Sequence, residues 1–120
     1  MNRIGMPRSP QLLDRRSLEF HQMLAQCLRE HPERLERVKR TLARWRVIVA
    51  PHSQPYVAEW QRLIDAGLET ALAMAVEDSE RAAALRQCSP FGSVITPEER
   101  AVFFERWSAA HFRDTELSQD

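Results

Sequence analysis

Prolines divide this chain into stretches within which apolar residues return at every third or fourth position. That pairing of punctuation with period leaves little room for anything but helices. Ser9-Pro10 has the form of an N-cap followed by proline at the first helical position. Leu13, Phe20, Leu24, Cys27 and Leu28 then come back to one side of a 3.6-residue helix, which should end near His31-Pro32. Pro32 opens a second helix whose seam is Leu35, Val38, Leu42 and Trp45. The short connection predicts an antiparallel hairpin with the first.

Val47-Ile48-Val49-Ala50 is the only β-branched run. An isolated strand has nothing to pair with, so it reads as the helix end passing into a buried connector closed by Pro51. Ser53 and Pro55 signal a second start. From there Tyr56, Trp60, Leu63, Ile64, Leu68, Ala71, Leu72, Ala75 and Val76 hold helical phase across Gly67. The glycine marks either a break between two helices or a kink in one. Asp78 or Ser79 can cap a short helix over residues 80–87, and Ser89-Pro90-Phe91-Gly92-Ser93 is a loop. Thr96-Pro97-Glu98-Glu99 spells a capping box at the start of the last helix, with Val102, Phe103, Trp107 and Ala110 expected inward.

These elements fit an all-α compact bundle of five to six helices, opening with an antiparallel helical hairpin and packed on three Trp. With 120 residues, 43% hydrophobic and 28% charged, the chain suits one domain. The expected division is a flexible N-terminus at 1–8, a single helical domain at 9–114 and a frayed tail at 115–120.

Several activities are disfavoured. No apolar run nears the ~20 residues of a membrane span, and the N-terminus lacks the apolar core of a secretory signal. Cys27 and Cys88 are far apart and read as reduced thiols in a cytoplasm. The four His form no HxxxH or HExxH pattern, so no metal site is expected. Gly5, Gly67 and Gly92 stand alone, so neither a P-loop nor a dinucleotide-binding turn is present, and no cofactor is expected. Cys88, near Arg86 at a helix end, is the most plausible nucleophile, but an incidental thiol explains it as well. The chain reads as a non-enzyme.

Charge carries more information. Residues 1–50 hold eleven basic against five acidic side chains, a net +6, and residues 51–120 hold six against twelve, a net −6. Either the halves neutralise one another across the fold, or a basic surface stands ready for an anionic partner. Arg37, Arg40 and Arg44 form a stripe turned away from the second helix's apolar seam, flanked by Arg34, Lys39 and Arg46. Such a stripe is a solvated face, a phosphate contact or a site for an acidic protein. A helix-turn-helix is conceivable over 68–76, 77–79 and 80–87, though Glu77, Asp78 and Glu80 would stand near the phosphates. The 89–95 loop either exposes Phe91 or plugs the core with it.

The strings Glu77-Asp78-Ser79-Glu80-Arg81, Leu85-Arg86-Gln87-Cys88-Ser89-Pro90-Phe91 and Thr96-Pro97-Glu98-Glu99-Arg100 carry a resemblance. With Arg16-Ser17-Leu18, His21 and Leu42-Ala43-Arg44-Trp45-Arg46, the chain resembles small bacterial proteins encoded beside nucleotidyltransferase-like toxins. The resemblance runs from about Arg15 to Trp107 and implies a helical, antitoxin-like partner that binds and silences the enzyme in the cytoplasm. The expected contact residues are Arg37, Arg40, Arg44, Trp45, Arg86 and Phe91. The alternative is a DNA-binding regulator. The oligomeric state stays open.

Overall fold

The computed structural model describes the backbone of residues 9–119 and the side chains of residues 9–111; the segment 1–8 expected to be flexible lies outside them. Six α-helices follow in order among the described residues. They are α1 (Pro10–Glu30), α2 (Leu35–Ile48), α3 (Gln54–Ala66), α4 (Leu68–Ala75), α5 (Glu80–Arg86) and α6 (Pro97–Gln119). Short 3-10 turns at Pro32–Arg34, Pro51–Ser53 and Pro90–Val94 join some of them. The fold is an all-α bundle.

The helix starts are set by the caps that the sequence spells. The Ser9 hydroxyl accepts from the Leu12 N–H at 3.1 Å, and Ser79 does the same for Ala82 at 3.1 Å. At α6 the box is reciprocal: Glu99 N–H donates to Thr96 Oγ1 at 3.1 Å and Thr96 N–H to Glu99 Oε1 at 2.9 Å. Gly67 is a break rather than a kink. Its φ of 135° and ψ of 150° lie where only glycine sits without strain, and α3 ends on one side of it as α4 begins on the other.

The core is built on Trp60, Leu24, Leu28, Val38, Leu42 and Phe91, all at 1% exposure or less. The Trp60 indole N–H is satisfied by the Leu85 carbonyl at 2.9 Å, which ties α3 to α5. Two side chains close helix C-termini, whose last carbonyls lack intrahelical partners. Gln54 Nε2 donates to the Arg46 and Val49 carbonyls, each at 3.2 Å. Arg86 Nη1 donates to Ala75 O at 3.1 Å and Glu77 O at 2.8 Å, placing a cation at the negative end of α4.

Four expectations change in the structure. The direct α1–α2 hairpin is opened by Pro90–Val94, which packs on both helices; α2's main contacts are with that turn and with α3. The Val47–Ala50 connector is not buried: Val47 is 82% and Ile48 65% exposed, and only Val49 reaches the core. In α6, Val102 and Ala110 face solvent while Phe103, Phe104 and Trp107 turn inward. On the inward side Phe20 of α1 meets Phe103 and Phe104 in tilted pairs with ring centres 5.2 and 4.9 Å apart, and Trp107 Nε1 donates to Glu19 Oε1 at 3.1 Å. Leu13 is likewise exposed. Helix α6 is assigned to Gln119.

Candidate functional site

Two surfaces stand out, and they share an edge. The first is the outward face of α2. Arg37, Arg40 and Arg44 follow one another at three- and four-residue steps, Val47 and Ile48 lie three and four residues beyond Arg44, and all five are exposed, opposite the buried Val38 and Leu42. Arg37 Nη1 donates to the Val94 carbonyl at 3.0 Å, and Arg34 Nη1 makes a weaker 3.4 Å contact there. Glu99 lies near these two cations. Its carboxyl is held below the usual range first by the Thr96 backbone bond and further by Arg34 and Arg37. Lys39 pairs with Glu36 at 3.7 Å. Arg40 and Arg44 have no hydrogen bond or ion pair among the described residues.

The second surface is a cleft where segments distant in sequence converge. A cavity of about 280 Å³ is bounded by Arg16 and His21 of α1, Trp45 of α2, the Arg86–Ser89 segment, Gly92, and Arg100 and Phe104 of α6. A second, of about 370 Å³, adjoins it through Trp45, Ser89, Gly92 and Arg100 and adds Thr41, Arg44 and Ser93. No carboxylate lines either one. The guanidinium of Arg16 lies 5.0 Å from the Phe104 ring centre, and that of Arg100 lies 5.6 Å from both Phe20 and Phe104. Gly92 lies beside Arg100: a Cβ there would be in ordinary van der Waals contact with its Nη1, at 3.6 Å.

His21 and Ser89 pin the floor of the cleft. His21 Nδ1 sits 2.8 Å from the Ser17 carbonyl, and Nε2 sits 2.7 Å from Ser89 Oγ. A carbonyl only accepts, so the ring proton belongs on Nδ1, and Nε2 accepts the Ser89 hydroxyl proton. Burial, reinforced by nearby Arg86 against the Ser17 bond, lowers the His21 pKa from 6.5 to about 4, so the ring is neutral at physiological pH. Ser89 Oγ also accepts from the Phe91 N–H at 3.1 Å. The network therefore fastens the Pro90–Val94 turn to α1.

The six contact residues named from sequence are dispersed by the fold. Arg40 and Arg44 are open to solvent, Arg37 is exposed but engaged with the 90–94 turn, and Trp45 is half-buried at the cleft. Phe91, at 1% exposure, packs edge-on against Trp60 with ring centres 5.2 Å apart, so the loop plugs the core. Arg86, at 6%, is interior; desolvation lowers its pKa against the pull of Asp14, Asp78 and Glu77, and its Nε has no hydrogen-bond partner. Composition and spacing did not single out Arg16, His21, Ser89 and Arg100. Ser89 enters as the start of a loop and the others in strings quoted for a resemblance, far apart in the chain, and nothing local marks them as neighbours.

Other arrangements carry less. Burial pushes the Cys88 thiol up, which disfavours the reactive thiolate. In the 68–87 segment, α5 exposes Glu80 and Arg81, and Arg81 is paired with Glu59, so no free cation faces outward from it. Among the described residues no three His, Cys, Asp or Glu gather as a metal site requires, and no helix is long and apolar enough to cross a membrane. Comparison with protein families, curated proteins and solved structures finds no match for this chain.

Proposed function

We propose that this chain is a non-catalytic cytoplasmic binding protein that neutralises a partner enzyme by direct contact, docking it through the outward face of α2. One observation carries the reading: Arg40 and Arg44, with no internal counter-charge, lead along the same face into Val47 and Ile48, exposed by 82% and 65%. A lone fold gains nothing from leaving two large aliphatic side chains in water beside unpaired guanidinium groups. Protein interfaces, by contrast, are enriched in arginine around a desolvated apolar centre. The complementary surface is an acidic patch bordering an apolar one. The resemblance supports a nucleotidyltransferase-type toxin as its owner, making this chain antitoxin-like.

The test is titration of the full chain against a nucleotidyltransferase-type toxin, with inhibition of that enzyme as a second readout. Arg40→Glu combined with Val47→Asp should weaken binding by about a hundredfold while leaving the far-UV spectrum unchanged. Unchanged affinity in that variant overturns the assignment of the face. Binding to duplex DNA that falls steeply with salt and ignores Val47→Asp would instead assign the arginines to phosphates, as a DNA-binding regulator requires.

A further inference from the structure

We infer that the arginine-lined cleft between α1, the Pro90–Val94 turn and α6 is a binding site for a phosphate monoester. Three guanidinium groups, those of Arg16, Arg44 and Arg100, border its two adjoining cavities, and none has an ion pair or hydrogen bond among the described residues. Arg86 also reaches the first cavity but is not one of this set, since Asp14, Asp78 and Glu77 act on it and its Nη1 is engaged by the Ala75 and Glu77 carbonyls. Gathering like charges in a concavity raises its potential, because low-dielectric walls focus the field. Proteins ordinarily relieve such a cluster with carboxylates, and here the walls contain none.

What the walls offer instead is positioning. Ring faces of Phe20 and Phe104 hold two of the cations, those of Arg16 and Arg100. Ring quadrupoles orient a guanidinium but do not neutralise it. The two hydroxyl and imidazole groups at the floor do not compete for the role. Ser89 Oγ–H donates a hydrogen bond to Nε2 of the neutral His21, so neither cancels the charge nor adds to it.

The charge count selects the anion. A single carboxylate would leave most of the cluster uncompensated, whereas a phosphate monoester carries close to two negative charges at neutral pH and accepts forked guanidinium bonds. The cavity on the far side of Trp45, walled by Pro90, Ile95 and Pro97, has room for the organic group. The ligand is thus a phosphoryl group, either free or carried on a small molecule such as a nucleotide. The two sites share Arg44, but Arg40 and Val47, the residues altered to test the α2 docking reading, take no part in the cleft, so each reading can fail without the other.

The experiment is calorimetric titration of the full chain with inorganic phosphate, a 5′-mononucleotide, the matching nucleoside and an aspartate-rich peptide. Saturable binding of phosphate and mononucleotide, and not of nucleoside, is expected. It should weaken with added salt and fall at least about tenfold in Arg16→Gln and in Arg100→Gln. Both residues lie at the cleft edge rather than in the core, so the variants should fold, and unchanged circular dichroism checks this. Mononucleotide affinity above that of phosphate places the organic group in the second cavity; equal affinities identify free phosphate as sufficient. Equal binding by wild type and both variants, no binding of either phosphate species, or tighter binding of the peptide overturns the proposal. Arg40→Glu with Val47→Asp, which disrupts the α2 face, should leave these affinities unchanged.

Discussion

Acidification from neutral pH to about pH 4 should cost this fold about 3 kcal/mol through His21 alone. The ring is wedged between the Ser17 carbonyl and the Ser89 hydroxyl at 4% exposure, and its pKa falls from 6.5 to about 4. The folded value is the lower one, so the unfolded chain takes up the proton first. The stabilisation is therefore complete above the free imidazole range and is lost as pH descends toward the folded value. Each tenfold preference is worth about 1.4 kcal/mol, which gives a loss of about 2 kcal/mol by pH 5 and about 3 kcal/mol by pH 4. Urea denaturation of wild type and His21→Gln, at neutral pH and at those two lower values, isolates the effect. Glu59, Glu69 and Glu99, whose carboxyls lie below the ordinary range because each is bonded to an arginine or a backbone amide, also lose stabilisation in acid. Their share is common to both proteins and cancels in the difference. Wild type should start more stable than the variant and lose that lead on acidification. Parallel pH profiles, or a His21 resonance titrating near 6.5, would refute the reasoning.

Two further outcomes follow from the interior. Trp60→Phe removes the donor to the Leu85 carbonyl and leaves a small void at a fully buried site, so chemical denaturation should show a loss of about 2 kcal/mol; a neutral result would mean the α3–α5 tie is not formed. Cys88, with its thiol pushed up by burial, should alkylate more slowly than a free cysteine at neutral pH and speed up on unfolding, as mass mapping of labelled protein would show.

Much of the fold was legible in the sequence because it is written in local rules. Ser9, Ser79 and Thr96 cap the helices their positions predict, since capping needs only a hydroxyl at the right offset from the first free N–H groups. Val38 and Leu42 are buried because their spacing gives them one face. The errors arise where a distant segment decides. A short α1–α2 connection predicts a hairpin only if nothing else fills the angle, and Pro90–Val94, far along the chain, fills it. Arg86 reads as a surface cation until α4 is seen to end beside it, where its guanidinium meets two unpaired carbonyls. Phe91 reads as a loop residue until Trp60 is seen against it. Val47 and Ile48 read as buried because β-branched runs usually are, yet α2 extends past the body that would have covered them.

The charge layout was legible as arithmetic and opaque as geometry. A net +6 in the first fifty residues against −6 in the rest could have been consumed inside the fold. Only one ion pair among the described residues joins the two halves, Arg29 to Glu69 at 3.0 Å. The other contacts pair each half with itself, as Lys39 does with Glu36 and Arg62 with Glu59. Exposed pairs of that kind hold little energy, so they do not explain why the segregation exists. Folding instead concentrates it. Arginines spread along the sequence at positions 16, 44 and 100 come to border one acid-free cleft, and Arg40 and Arg44 stay bare along α2. A chain whose opposite charges were there to hold its halves together would show guanidinium–carboxylate pairs across the bundle. This one leaves Arg40 and Arg44 outward and Arg16 and Arg100 at a concavity with no carboxylate partner among the described residues, and it is these four that the proposed docking face and phosphate site draw on.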